Sequence, residues 1–302
     1  MNAASTPVRL VDVGVSGVEV YAKLESRGPT GSVKDRTARS MVDAAERDGR
    51  LTPGGIIVEA SSGNTGIALA ALGAERGYQV EVICSPRVTD EKIRLLELLG
   101  AIVHVLDTAE LEDDHHYLQF GADLARRRGG VFLNQYDNPA NPRVHEFETG
   151  PELLAQLDRA PDVFVAGAGT GGTISGIARA LRTHRMSTRI VLADPIGSIY
   201  AHAHKTGELS EPEPYEVEAV GQAERLIPPN IALDLIDETL SIPDSESFEA
   251  ARQAARQGIL CGPSSGLALA AARRVALTLP AGSMVATLLP DGAERYLSRG
   301  SR

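Results

Sequence analysis

Short β-branched runs alternate with longer amphipathic stretches from about residue 55 onward, and the period of the apolar positions switches with them. Runs at 56–59, 80–84, 102–106 and 131–134 read as strands, whereas 65–76, 90–99 and 117–128 carry apolar residues at helical spacing. Gly77, Gly100 and Gly129 close the helical patterns where a left-handed stop is expected. This is the βαβ rhythm of a parallel sheet. It resumes with a strand at 163–166, a helix from about Thr173 and a strand at 189–193, then pauses over an irregular stretch rich in Pro and Glu at 195–230. Helices at 245–257 and 265–277 and a strand at 284–289 complete it. Near the start, Ser32 precedes Ala38, Met41, Val42 and Ala45 at helical spacing, with Gly49 as a stop, so Ser32 is expected to cap a helix. With no repeat, low-complexity tract or long linker, the simplest architecture is two α/β lobes sharing a cleft.

Composition narrows the function classes. A chain of 302 residues with 43% hydrophobic and 23% charged content can bury a sizeable core. Its 30 Lys and Arg face 40 Asp and Glu, and the net charge of −10 repels phosphate backbones and anionic lipid. Nucleic acid and membrane are therefore not expected partners. No apolar run is long enough to span a bilayer, and Arg9 and Asp12 interrupt any signal-peptide core, which places the chain in the cytoplasm. Cys84 and Cys261 are too few for a disulfide framework and end apolar runs, as core thiols do.

Polar or glycine-rich turns follow several of these strands, and in open parallel sheets such turns bind ligands. Gly31-Ser32-Val33-Lys34-Asp35-Arg36 offers a lysine at a helix start. Ser61-Ser62-Gly63-Asn64-Thr65-Gly66 offers hydroxyls and backbone N–H groups that suit a small carboxylate. Gly167-Ala168-Gly169-Thr170-Gly171-Gly172-Thr173 opens a helix, where glycines let the backbone close on a phosphate. It also satisfies the dinucleotide fingerprint, with Asp194 about twenty residues on, so a nicotinamide-dependent dehydrogenase is the remote alternative. Cys261-Gly262-Pro263-Ser264-Ser265-Gly266 precedes an alanine-rich helix, and locally Ser264 reads as an N-cap. A further turn, Asn134-Gln135-Tyr136-Asp137-Asn138-Pro139-Ala140-Asn141-Pro142, is dense in amides. The histidines at 115–116 and at 202 and 204 have spacings that scatter their rings over different helix faces, so no metal site is expected.

Lysine turn, SGNTG, QYxNPANP, GTGGT and SSG occur in the order seen in fold-type II pyridoxal-phosphate enzymes, and the chain resembles the cysteine synthase and cystathionine β-synthase branch over residues 18–297. Asp194-Pro195-Ile196-Gly197-Ser198 is closer to the cystathionine synthases, and the ending Leu289-Pro290-Asp291-Gly292-Ala293-Glu294-Arg295-Tyr296 to the cysteine synthases. The resemblance implies an α/β fold of two lobes, each with a twisted, mainly parallel sheet flanked by helices. Residues 1–37 and 143–302 would form the large cofactor-binding lobe and 38–142 the smaller mobile lobe. Lys34 would carry pyridoxal 5'-phosphate as an aldimine and act as base at the substrate α-carbon, its pKa lowered by burial and nearby cationic character. Asn64 would hydrogen-bond the phenolic oxygen; Gly169, Thr170, Gly171, Gly172 and Thr173 would hold the phosphate; Ser61, Ser62, Thr65 and Gln135 would grip the substrate carboxylate. Ser264 would face the pyridine nitrogen. A neutral hydroxyl there gives a weaker electron sink than an acid and suits β-elimination over racemisation.

These residues imply β-replacement on O-acetyl- or O-phosphoserine through an aminoacrylate, with sulfide as the first expectation. Cystathionine formation or an amine nucleophile giving a diaminopropionate precursor are alternatives. A homodimer is implied, and with the chain ending shortly after Tyr296 neither an appended regulatory domain nor a haem-binding extension is expected. Three positions depart from the family. Ser61 replaces a Thr, and Gly28 lies near where an Asn is usual. The stretch 218–228 replaces one glycine of a Gly-rich turn by Ala219 and adds Glu224 and Arg225, the latter a candidate receptor for a phosphorylated or acidic substrate, or a solvated partner of Glu224.

Overall fold

The computed structural model describes residues 5–61, 63–86, 88–107, 114–184, 187–222 and 225–297, with the side chains of 114–116 left aside. In chain order the elements are β1 (Val8–Leu10), β2 (Glu19–Leu24), α1 (Lys34–Arg47), β3 (Ile56–Ala60), α2 (Asn64–Arg76), β4 (Gln79–Cys84), α3 (Asp90–Leu98), β5 (Ile102–Val105), α4 (Asp114–Arg128), β6 (Val131–Phe132) and α5 (Ala140–Val144). A wide π-type turn at His145–Thr149 leads into α6 (Gly150–Gln156), β7 (Val163–Gly167), α7 (Gly172–Thr183), β8 (Arg189–Pro195) and α8 (Tyr200–Thr206). The chain continues through β9 (Glu238–Ile242), α9 (Asp244–Arg256), α10 (Pro263–Ala276) and β10 (Met284–Leu289).

Two sheets form. A six-stranded sheet runs β1-β2-β10-β7-β8-β9, parallel except for β1 against β2, and a four-stranded sheet runs β5-β4-β3-β6, parallel throughout. Parallel strands buried on both faces read as continuous apolar runs, which is why β10, with all six residues buried, was so visible as a sequence pattern. Within β7 the two-residue period sends Val163 and Val165 into one core layer with Leu267 and Val285, and Phe164 and Ala166 into the other with Ile177 and Leu192. Burying each of the Val, Leu, Ile and Phe side chains among these contributes about 1.5–3 kcal/mol.

The α/β architecture and the βαβ order of 55–134 follow the apolar pattern. Two elements in the region read as irregular or unassigned do not: α8 lies within 195–230, and β9 adds an edge strand whose residues are mostly half-exposed. Ser32 is not the N-cap of α1. That position is Val33, although the Ser32 Oγ accepts the Lys34 N–H at 3.3 Å.

Candidate active site

The lysine turn is pinned from two sides. In front, Ser32 bridges Asp291 and the Val33 N–H donates to the Pro290 carbonyl at 2.8 Å, so the start of α1 is tied to the end of β10. Behind, the buried Arg36 guanidinium reaches Glu25 and Glu152, each at 2.8 Å, and the fully buried Lys23 meets Glu152 at 2.7 Å. Burial opposes ionisation of Glu152, but hydrogen bonds from Arg36 and Lys23 outweigh it and hold the carboxyl down at about 2. Burial pushes the Lys34 amine below its ordinary value, as a nucleophilic or basic lysine requires. The expected cationic contribution is not the cause. The charged groups acting on Lys34 are Asp291 and Glu25, and both pull its pKa upward.

Lys34 shares one cavity with Gly169, Thr170, Gly171, Gly172, Thr173, Ala219 and Ser264. Two of the glycines are obligatory. Gly171 has φ +81°, and a Cβ on it would stand 2.3 Å from that of Ile231; a Cβ on Gly172 would meet the Asn141 Oδ1 at 2.1 Å. The backbone thus closes tightly at the N-terminus of α7, where N–H groups and the helix dipole favour an anion. The Thr170 Oγ1 accepts from the Asn141 Nδ2 at 3.0 Å, and Thr173 lies 3.3 Å from the His145 Nε2. His145 is fully buried and also contacts Thr37 and Thr149. Burial, then the charges of Lys34 and Arg36, lower its pKa and keep the ring neutral. Sequence reasoning missed His145, which stands in the wide turn after the amide-rich segment, a backbone irregularity of the kind that recurs at functional sites.

Ser264 lies inside α10 rather than capping it; Gly262 is the N-cap. The Ser264 Oγ is buried and has no hydrogen-bond partner among the described residues. An orphaned hydroxyl in the lysine cavity is available to a ligand.

The substrate-side candidates form a separate cluster. The Thr65 Oγ1 donates to the Gln135 Oε1 at 2.5 Å, and the Gln135 Nε2 donates to the Ala60 carbonyl at 3.2 Å. The Ser61 Oγ accepts the N–H groups of Gly63 and Gly66 at 3.3 and 3.2 Å, so this hydroxyl organises its own loop and keeps its proton for a ligand. Ser62 lies outside the described residues. Beneath the cluster, the fully buried Glu59 accepts the Gln135 N–H at 3.1 Å, and burial pushes its carboxyl up to about 8. The Gln135 carbonyl accepts from the Asn141 Nδ2 at 2.8 Å, so Asn141 ties this cluster to Thr170.

Asn64, at the start of α2, is held by the segment after β10. Its Nδ2 donates to the Asp291 Oδ2 at 2.7 Å, and the Arg295 Nη1 donates to its Oδ1. The Tyr296 hydroxyl donates to the same Asp291 oxygen at 2.5 Å. Lys92 of α3 stands 4.8 Å above the Tyr296 ring and 2.6 Å from Glu218, bridging to the departing loop. Arg225 pairs with Glu211 at 2.8 Å on the surface, while Glu224 lies outside the described residues. At Gly28 a Cβ would stand 2.4 Å from the Asp35 Oδ2, so a side chain there requires that carboxylate, which accepts the Thr30 N–H at 3.0 Å, to move. Asp194 is fully buried and accepts the Ala201 N–H at 2.9 Å at the start of α8, a structural task that explains the false ribose signal.

A lysine, a glycine-lined helix terminus and an orphaned serine in one cavity of a two-sheet α/β protein define a fold-type II pyridoxal-phosphate enzyme. The family described as "Pyridoxal-phosphate dependent enzyme" matches residues 3–291, and the chain belongs to it. It is 40% identical over 284 residues to a cystathionine beta-synthase of Apis mellifera, covering 93% of this chain and 56% of that protein, a little over half its length. It is 38% identical over 285 residues to a cysteine synthase of Staphylococcus aureus, covering 94% of this chain and 89% of that one. The O-acetylserine dependent cystathionine beta-synthase of Helicobacter pylori superposes with a TM-score of 0.90 at 34% identity, over 99% of this chain and 96% of that one. O-ureido-L-serine synthase superposes with a TM-score of 0.89 at 33% identity, over 99% and 94%. Pyridoxal phosphate is the cofactor, and the orphaned Ser264 hydroxyl and the glycine-lined start of α7 in the same cavity as Lys34 fit it.

Proposed function

We propose that the enzyme replaces the β-substituent of an O-activated L-serine, O-acetyl- or O-phosphoserine, with sulfide, giving cysteine. The observation that carries this reading is Ser264: the lysine cavity presents a neutral, unpartnered hydroxyl where an acid would favour other chemistry. Bound pyridoxal phosphate supplies an electron sink for charge developing at the substrate α-carbon. Lys34, its pKa lowered by burial, takes the α-proton and returns it after the nucleophile has added. Ser61, Thr65 and Gln135, with Ser62, bind the substrate carboxylate; Asn64 donates to the ring oxygen; Gly169, Thr170, Gly171, Gly172 and Thr173 hold the phosphate. With a hydroxyl rather than an acid at Ser264, departure of the β-substituent keeps pace with loss of the α-proton.

The lobes are assigned as 1–37 with 143–302 and, for the mobile part, 38–142. The confinement of the four-stranded sheet to the second range supports this division. A cytoplasmic homodimer is the proposed state, supported by resemblance to the biosynthetic synthases. Among the described residues, no helix is long and apolar enough to cross a membrane.

A donor screen followed by a nucleophile screen tests the reading. Cysteine formed from O-acetylserine or O-phosphoserine and sulfide supports it. Product only from serine with homocysteine transfers the reading to cystathionine synthesis, and no replacement product from any donor contradicts it.

A further inference from the structure

We infer that Asp291 and Arg295 are positioning residues that lock the Asn64 amide in one orientation and so leave a single N–H free for the ring oxygen of the cofactor. An asparagine amide is nearly symmetric in shape, and only its partners decide which end is which. Here both ends have partners of fixed sense. Arg295 carries donors and no acceptor, so the Asn64 atom it touches must be the carbonyl oxygen. On the other side, the Asp291 Oδ2 receives the Tyr296 hydroxyl at 2.5 Å and the Asn64 Nδ2 at 2.7 Å. An oxygen that collects two donors is an acceptor, which fixes the amide nitrogen. That nitrogen has two hydrogens; Asp291 takes one and the other remains.

Water does not loosen this arrangement, because Asp291 is fully buried and Arg295 is only 3% exposed. Arg295 also abuts the lysine turn: a Cβ on Gly31, which has φ +79°, would stand 3.2 Å from its Nη2. One residue thus contacts both the turn that carries Lys34 and the amide expected at the ring oxygen. The short turn Ala293–Arg295 after β10 is what brings Asp291, Arg295 and Tyr296 together around Asn64, more than two hundred residues away in sequence.

The inference rests on the proposed placement of Asn64 at the ring oxygen. Hydrogen bonds to that oxygen set the balance between two proton tautomers of the lysine-linked cofactor, which absorb at different wavelengths. The test is the absorption spectrum of the holoenzyme across pH for wild type, Asn64→Ala, Asp291→Ala, Asp291→Asn and the double variant Asn64→Ala/Asp291→Ala. Asn64→Ala and Asp291→Ala should change the band ratio in the same direction by about 2- to 10-fold, the equivalent of one hydrogen bond. Asp291→Asn, whose amide oxygen can still accept, should stay near wild type. The double variant should match Asn64→Ala alone, since both changes act through one amide. A wild-type spectrum in Asp291→Ala, or a shift that persists undiminished in the Asn64→Ala background, overturns the inference. If Asn64→Ala itself leaves the spectrum unchanged, the placement of Asn64 is what fails and the inference falls with it. Should Asp291→Ala not retain cofactor, Arg295→Met, which removes the donor from the Asn64 oxygen, takes its place in the same cycle.

Discussion

The phosphate cradle and the loop at 217–222 meet at one cavity, where the Gly221 N–H donates to the Ala168 carbonyl at 2.7 Å, yet they are built on opposite terms. In the cradle, positive φ and close approach fall on glycines, and backbone rather than side chains makes the surface. In the loop, Gly221 also takes a left-handed φ of +77°, but a second one, +63°, falls on Ala219, which bears steric strain that glycine would avoid. The cradle is tied to its surroundings through Asn141, His145 and Tyr200, whereas the loop is anchored at its ends, by the Val217 N–H on Asp244 and the Gln222 N–H on Ser198, and Lys92 reaches across from α3 to Glu218. A site that must hold one unvarying group is made of parts with no freedom. Strain and the departure from the family pattern fall together on the loop at the other wall of the Lys34 cavity.

Substitutions can break or sharpen this contrast. The largest effect is expected at Glu59, beneath the carboxylate cluster. Its folded-state pKa of about 8 lies above the ordinary 4.5, so between these values the folded protein holds a proton that the unfolded chain has released. Stability from this group is therefore greatest at low pH and declines as pH rises towards 8. Glu59→Gln should abolish a loss of up to about 4 kcal/mol between pH 5 and 8, read from thermal or urea unfolding at the two pH values. A variant whose stability falls with pH as steeply as wild type contradicts the buried acid.

In the cradle, Gly172→Ala should cost about 3 kcal/mol, seen as lost stability and at least tenfold weaker cofactor binding, because the methyl collides with Asn141. Unchanged affinity in a cofactor titration would show that the cradle can yield. Lys92→Met leaves the Glu218 carboxylate, 18% exposed, without its ammonium and should cost about 2 kcal/mol in stability while raising KM more than it lowers kcat. A pure kcat loss would place Lys92 in the chemistry instead. Ala219→Gly should have the smallest effect, a gain of about 1 kcal/mol as the backbone strain is relieved. If it destabilises, Ala219 is held by packing and the contrast weakens.

Legibility in the sequence followed the range of the interactions. Strands β3, β4, β7 and β10 are buried on one or both faces by local apolar runs, so their β-branched pattern announced them. The glycine cradle was equally visible, because its geometry is imposed by the identities of adjacent residues. The edge strand β9 has little apolar character to reveal it, and the seven-residue α8 depends on a cap from Asp194, supplied by another element. Asp291 escaped for a related reason: it follows an apolar strand like the other candidate turns, but its partners Asn64 and Lys34 are distant in sequence. Ser264 shows the reverse error. Its local pattern indicated a cap, while the order of motifs along the chain set it against the pyridine nitrogen; the structure puts the N-cap at Gly262 and leaves the Ser264 hydroxyl buried without a partner among the described residues.

The central claim is that Lys34 carries the cofactor and serves as the base. The direct measurement is borohydride reduction of the holoenzyme, proteolysis and mass spectrometry of the modified peptide. The account predicts a single phosphopyridoxyl adduct on Lys34 and no adduct in Lys34→Ala, whose turnover falls by about a thousandfold or more. An adduct on another lysine, or full activity in Lys34→Ala, would contradict it.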